Sequence, residues 1–184
     1  MKKIGLVRID EVGRVVLPKE MRKVLKLEKD RLVEMYIEKD KLVLKKYSPV
    51  ANSAARAEKI CDVIASETGC ICVVCDTSKV LCVSGDALKG IEGRKISAAF
   101  YSLIENSGAV LVNSDEGGKP VSPVVDPEIE YSSLAAVSLD DEGCPVGAIA
   151  LLSVDKDKRF GDCEMSLLKI AKDLIRSCCD EAEA

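Results

Sequence analysis

The chain has 184 residues, 47% of them hydrophobic and 32% charged, the balance of a soluble globular protein with room for one domain or two small ones. It holds 9 cysteines and no histidine, which removes Ser-His and Cys-His nucleophile pairs, histidine general bases and mixed Cys/His zinc sites together, so no catalytic residue and no enzyme activity is expected. The net charge of −4 divides unevenly: through Tyr47, 14 cations face 8 acids, a balance of +6 that leaves −10 for the remainder, and so makes a basic head suited to a polyanion on an acidic body that is not.

Aromatic residues are 3% and Trp is absent, so the core is expected to be aliphatic. No run approaches the roughly 20 apolar residues of a membrane span. The first residues form a charged strand and not the apolar region of a signal peptide. The cytoplasm is the expected compartment, with no membrane partner. An odd thiol count without a secretion signal argues against a disulfide framework and leaves free thiols as the expectation.

In the head, residues 4–9 read as a strand, 10–13 as a turn ending on Gly13, and 14–17 as a second, β-branched strand. Pro18 is pre-organised for a first helical position. Met21, Val24 and Leu25 fall at i, i+3 and i+4 and give the helix one apolar face, with Lys19, Arg22, Lys23 and Lys26 covering the rest. Two readings stand side by side for those cations: a charged face turned to water, and a surface for a polyanion. Val33, Met35 and Ile37 share one face of a further strand, 38–41 is a polar turn, and Leu42 and Leu44 alternate with Val43 and Lys45 on the way back. Fewer than about 50 residues without a disulfide or metal rarely bury enough apolar area to fold alone. The head is therefore expected to be an obligate, interleaved homodimer with two copies of its basic surface about a two-fold axis.

The run Gly5-Leu6-Val7-Arg8, the run Asp10-Glu11-Val12-Gly13-Arg14-Val15-Val16-Leu17-Pro18-Lys19-Glu20-Met21-Arg22-Lys23 and the closing Leu44-Lys45-Lys46-Tyr47-Ser48-Pro49 resemble the AbrB/SpoVT DNA-binding domain. The resemblance implies a swapped-hairpin, β-rich dimer domain over residues 1–50. It also implies contact with double-stranded DNA through Arg8 and Arg14 of the first hairpin and Arg22 and Lys23 of the short helix. Lys23 stands where relatives often have an arginine, which favours a phosphate contact over a bidentate fork. Relatives often carry a further residue between the positions of Arg8 and Asp10, where this chain has Ile9 alone. A one-residue slip in a strand reverses side-chain facing, so the facing of Arg8 is left to the structure. With few base readers and no aromatics among the cations, sequence selectivity is expected to be modest and guided by DNA shape.

Residues 48–53 break the strand pattern and supply capping residues for a helix over about 54–67, where Ala54, Ala57, Cys61 and Ile64 recur at helical spacing and Ile60 and Val63 widen the stripe. Residues 70–76 and 80–84 read as strands joined by a 77–79 turn. A helical piece follows around 97–105, a short strand at 110–112, and a loop over 115–127 with two glycines and three prolines. Residues 134–139 and 145–154 form a hairpin, and Asp162 caps a closing helix lined by Met165, Leu168, Ala171, Leu174, Ile175 and Cys178.

This order is α+β. Together with the Gly147-Ala148-Ile149-Ala150-Leu151-Leu152 strand and the following Phe160-Gly161-Asp162, it resembles a GAF domain over residues 53–184, an antiparallel sheet with flanking helices that commonly build dimer bundles. Head and body together resemble the stage V sporulation protein T type of regulator. The resemblance implies a transcription regulator of sporulation genes, dimeric through the head and tetrameric through the body, with effector sensing by a small molecule an open alternative to plain oligomerisation.

Other chemistries fit less well. Strand alternation puts Cys70 and Cys72 on one face and Cys75 on the other, poor geometry for one tetrahedral centre, so no metal and no cofactor is expected. A thiol-based redox sensor would need an exposed cysteine of low pKa, and no pattern marks one. Asp140-Asp141-Glu142-Gly143 reads as a turn and not a calcium loop. The loop over 114–127 could cover a pocket or simply connect. An antitoxin-like interaction module is the alternative from another class, because the same head occurs there; its usual extended tail is replaced here by a patterned globular domain.

Overall fold

The computed structural model describes residues 6–25, 27, 33–85, 90–125, 129–141 and 143–180, without the side chains of Leu25, Lys46 and residues 178–180. Ile4 and Gly5 of the first expected strand, Lys26 of the helix, Asp86, the Asp126-Pro127 end of the loop, Glu142 of the hairpin turn and the Cys178 side chain lie outside the described residues. The contacts divide the chain into two units, Met1–Tyr47 and Ser48–Ala184.

In the first unit, α1 (Lys19–Leu25) follows Pro18, whose carbonyl accepts the Arg22 N–H at 3.1 Å. β1 (Val33–Glu38) and β2 (Lys41–Lys46) form an antiparallel hairpin with Glu38 opposite Lys41. The two turn residues include Lys39 in the left-handed region (φ 56°). The register sets Met35 opposite Leu44 and Ile37 opposite Leu42, so these four make one cross-strand apolar face. Among the described residues, the two strands expected at 4–9 and 14–17 are reduced to a single antiparallel bridge between Ile9 and Val15. A strand is defined by its ladder, and among the described residues this hairpin has no further pairing partner. Many apolar side chains of the unit are bare: Leu6 is 90% exposed, Ile37 85% and Val16 79%.

The second unit opens with a short helix, α2 (Pro49–Asn52), capped by the Ser48 hydroxyl, which accepts the Ala51 N–H at 3.3 Å. α3 (Ala54–Thr68) ends on Gly69 in the left-handed conformation (φ 65°). Then come β3 (Ile71–Asp76), β4 (Val80–Ser84), α4 (Ala98–Ser107), β5 (Ala109–Asn113), β6 (Ser133–Asp141), β7 (Cys144–Ser153) and α5 (Asp162–Asp180). The strands form one antiparallel sheet in the order β4-β3-β7-β6-β5.

Both faces of this sheet are covered, which is why β3 and β7 read as near-continuous apolar runs. One face packs Cys72, Val74, Ala135, Val137, Ile149 and Leu151 against Cys61 and Ile64 of α3 and Leu168, Ala171 and Ile175 of α5. The other packs Ile71, Val73, Leu134, Ala136, Ala150 and Leu152 against Phe100 and Ile104 of α4 and the segments that carry Ile91, Ile96, Val124 and Tyr131. Three expectations need correcting. Asp162 is the first residue of α5, and the cap is a reach-back in which the Gly161 N–H donates to Glu164 Oε2 at 2.8 Å. The apolar stripes are only partly buried: Leu174 of the α5 stripe and Val63 of the α3 stripe are exposed, as is Ile170. The loop after β5 begins with a 3-10 turn over Ser114–Glu116.

Candidate nucleic-acid interface

The turn between the first two strand segments is built by Asp10. Its Oδ1 accepts the N–H groups of Val12 (3.1 Å) and Arg14 (2.8 Å), and the Gly13 N–H donates to its carbonyl at 3.0 Å. Gly13 adopts φ 81°, the position where a three-residue hairpin loop needs a residue free of a Cβ. Arg14 Nε donates to Asp10 Oδ2 at 2.8 Å, so one carboxylate both shapes the turn and holds the guanidinium beside it. The Arg14 N–H, then the guanidinium, keep the Asp10 carboxyl below its usual range, so it is ionised throughout the neutral range.

The Ile9–Val15 bridge sets the register nearest Arg8. With 9 opposite 15, position 10 lies opposite 14, and the same register carried one residue outward would set 8 opposite 16 and Arg8 on the face of Asp10 and Arg14. Arg8 and Arg14 are both exposed. Arg22 and Lys23 are exposed neighbours on α1, about 100° apart around the helix. Four cations thus stand in two pairs, one on the hairpin and one on the helix. The bearing of Asp10 on Arg14 is the feature that the sequence reading missed; the carboxylate four residues before an arginine across a glycine turn is the signal that could have found it.

The body offers less chemistry. Cys61 of α3, Cys72 of β3 and Cys82 of β4 gather in the core between helix and sheet, with Cys61 Sγ and Cys82 Sγ 3.8 Å apart, while Cys75 faces the opposite core. Hydrogen bonding to Cys72 raises the Cys61 thiol pKa, hydrogen bonding to Cys61 raises that of Cys82, and burial pushes Cys75 up to about 12. These thiols are protonated at neutral pH and are not nucleophiles. Among the described residues no group of three or more Cys, Asp or Glu is placed to hold a metal. Asp140 of the acidic turn is committed to Lys172, whose Nζ donates to its Oδ2 at 2.6 Å.

The loop after β5 closes on the α4 side of the sheet. Ser97 donates its N–H to Pro123 O (2.8 Å) and its hydroxyl to Ser122 O (2.7 Å), and Val124 bridges Ile96. A void there, bounded by Thr77, Ile96, Tyr101, Ile104 and Gly147, measures about 10 Å³, room for about one water at most.

The chain matches two families. Residues 54–176 match the family described as stage V sporulation protein T C-terminal, transcription factor, and residues 6–52 match antidote-toxin recognition MazE, bacterial antitoxin. Stage V sporulation protein T of Bacillus subtilis (strain 168) is 30% identical over 173 residues, 93% of this chain and 94% of that protein. The transition state regulatory protein AbrB of the same organism is 46% identical over 50 residues, 27% of this chain and 52% of that one. Among solved structures, the type II free methionine-R-sulfoxide reductase from Thermoplasma acidophilum superposes at TM-score 0.55 with 13% identity, covering 72% of this chain and 96% of that one. The GAF domain of the Acinetobacter phosphoenolpyruvate-protein phosphotransferase does so at 0.54 with 10% identity, covering 73% and 92%. At such identities the likeness is one of fold: the body is a GAF-like domain.

Proposed function

The chain belongs to the family of stage V sporulation protein T, and from that premise we propose that it is a transcription regulator of sporulation genes whose head binds duplex DNA and whose GAF-like body oligomerises. The carrying observation is the match that runs nearly end to end along both proteins, head and body together. Its relatives are transcription factors, and the absence of histidine from the sequence is in keeping with a protein that is not an enzyme. No helix among the described residues is long and apolar enough to cross a membrane. We place the regulator in the cytoplasm, with its target.

The head works as a dimer. The bare Met35, Ile37 and Leu42 of the hairpin face, with the exposed Leu6 and Val16, are what an interleaved second copy would cover, and their exposure supports that arrangement. Two copies of Arg8, Arg14, Arg22 and Lys23 then meet the phosphate backbone, releasing counterions, while Arg14 is oriented by Asp10 before DNA arrives. Pre-orientation lowers the ordering cost of the contact, but the same ion pair competes with phosphate, so Arg14 is the residue whose removal is most informative. A tetramer through the body would carry two heads' dimers on one assembly.

Gel shift with a random duplex at two salt concentrations tests this. Arg14→Ala is expected to lose most duplex affinity and to flatten the salt slope by about 2 per dimer, close to one counterion for each lost contact. An Arg14→Ala protein that binds as the parent does at low salt would sink the assignment of Arg14. The antitoxin reading draws on the match of residues 6–52 alone; it expects a parent protein that gives no shift at either salt concentration.

A further inference from the structure

The polar contacts of Asp10 serve two separate purposes. Its N–H donates to the Arg14 carbonyl at 3.1 Å, its carbonyl accepts the Gly13 N–H, and its Oδ1 accepts the N–H groups of Val12 and Arg14. Those bonds shape the turn, and on the side-chain part of them one uncharged oxygen would suffice, which is why asparagine builds such turns as readily as aspartate. The remaining contact, between Oδ2 and Arg14 Nε at 2.8 Å, is the one that uses the second oxygen and the charge.

Folding gives little reason for that charge. The Arg14 and Asp10 side chains are 75% and 41% exposed, and an ion pair so open to water and counterions adds little stability. Beside a duplex the same carboxylate acts in two opposite directions. It repels phosphate and cancels part of the Arg14 charge, an effect that grows as salt is lowered and screening weakens. It also takes the Nε donor and holds the guanidinium beside the turn, leaving the fork of the two Nη groups for the acceptor that arrives. That saving in ordering does not depend on salt. Ionic strength therefore decides which effect prevails.

We propose that Asp10 is a positioning residue for Arg14 that shifts duplex affinity from charge to geometry, lowering it at low salt and sustaining it at high salt. This rests on the reading of the head as a DNA-binding surface. The full-length parent, Asp10→Asn, Asp10→Ser and Glu11→Gln are compared by gel shift on one random duplex at about 50 mM and about 200 mM salt. Asn and Ser each keep an oxygen for the turn and lose the charge. Glu11→Gln removes one charge from an exposed position of the same turn and leaves the Asp10–Arg14 pair in place. Both Asp10 variants are expected to bind at least about threefold tighter than the parent at the lower salt. Their salt slopes should be steeper by about 1–2 per dimer, so that this advantage shrinks roughly four- to sixteenfold by the higher salt and reverses. Glu11→Gln should change the slope by less than half as much. Weaker binding at both concentrations with the parent's slope would leave Asp10 a turn residue only and overturn the proposal, as would equal steepening by Glu11→Gln. A parent that gives no shift at either concentration fails the regulator reading and this inference with it. A parent that shifts beside Asp10 variants of unaltered slope fails this inference alone.

Discussion

The Asn113 carboxamide, only 2% exposed, donates from Nδ2 to the Phe160 carbonyl and accepts the Phe160 N–H at Oδ1, each at 3.0 Å. One side chain thus satisfies both main-chain groups of Phe160 and fixes where α5 begins relative to β5. Asn113→Ala should cost about 3 kcal/mol, since it strands two buried main-chain groups; urea unfolding of the full-length protein measures it, and a loss below about 1 kcal/mol would mean that water replaces the carboxamide. No local pattern marks this residue, which looks like an ordinary strand-ending Asn with its partner 47 positions away. The Asp10 turn is the opposite case. Gly13 announces it in the sequence, and only the fact that its carboxylate also holds Arg14 needed the structure.

At the level of elements, β7 depends on a residue without a side chain. A Cβ on Gly147 would stand 2.3 Å from the Cys75 carbonyl oxygen of β3, so the two central strands meet there at a separation that no other residue allows. Gly147→Ala is expected to destabilise the body by about 3 kcal/mol, the upper end of ordinary overpacking. Gly161→Ala, where a Cβ meets nothing, should be near neutral in the same melting experiment, and equal effects from the two would refute the close-approach argument. The body's strands and helices were legible because burial imposes period on sequence: β3 and β7 as continuous apolar runs, α3 as a stripe of small residues. What period cannot say is which apolar face meets the chain's own core. Leu174 and Val63 fit helical stripes as well as Leu168 and Ile64 do, yet they stay exposed, because spacing is the same whether or not the chain's own core reaches that part of the helix.

For the whole molecule the same ambiguity becomes an argument about assembly. The head shows bare apolar residues on its hairpin, on α1 and beside its Asp10 turn, and among the described residues its first two expected strands form only one bridge. A segment this short rarely recovers that area by itself, so the proposed dimer would be the condition for the head to be folded and not an addition to it. Ile37→Asp places a charge in the centre of that face, opposite Leu42. If the head dimer exists, light scattering should show the mass of the assembly falling by about half, with subunit exchange now dependent on concentration. Duplex binding should fall with it, because each separated head then presents a single copy of Arg8, Arg14, Arg22 and Lys23 without its two-fold mate. The body's melting transition should stay where it was, since its core is built from residues of Ser48–Ala184. An Ile37→Asp protein of unchanged mass and unchanged duplex affinity would place the head's folding surface elsewhere. The charge split gives the result its direction: once separated, a +6 head tethered to a −10 body has no second cationic copy to offset the body's repulsion of DNA, so the loss should deepen as salt is lowered and that repulsion grows.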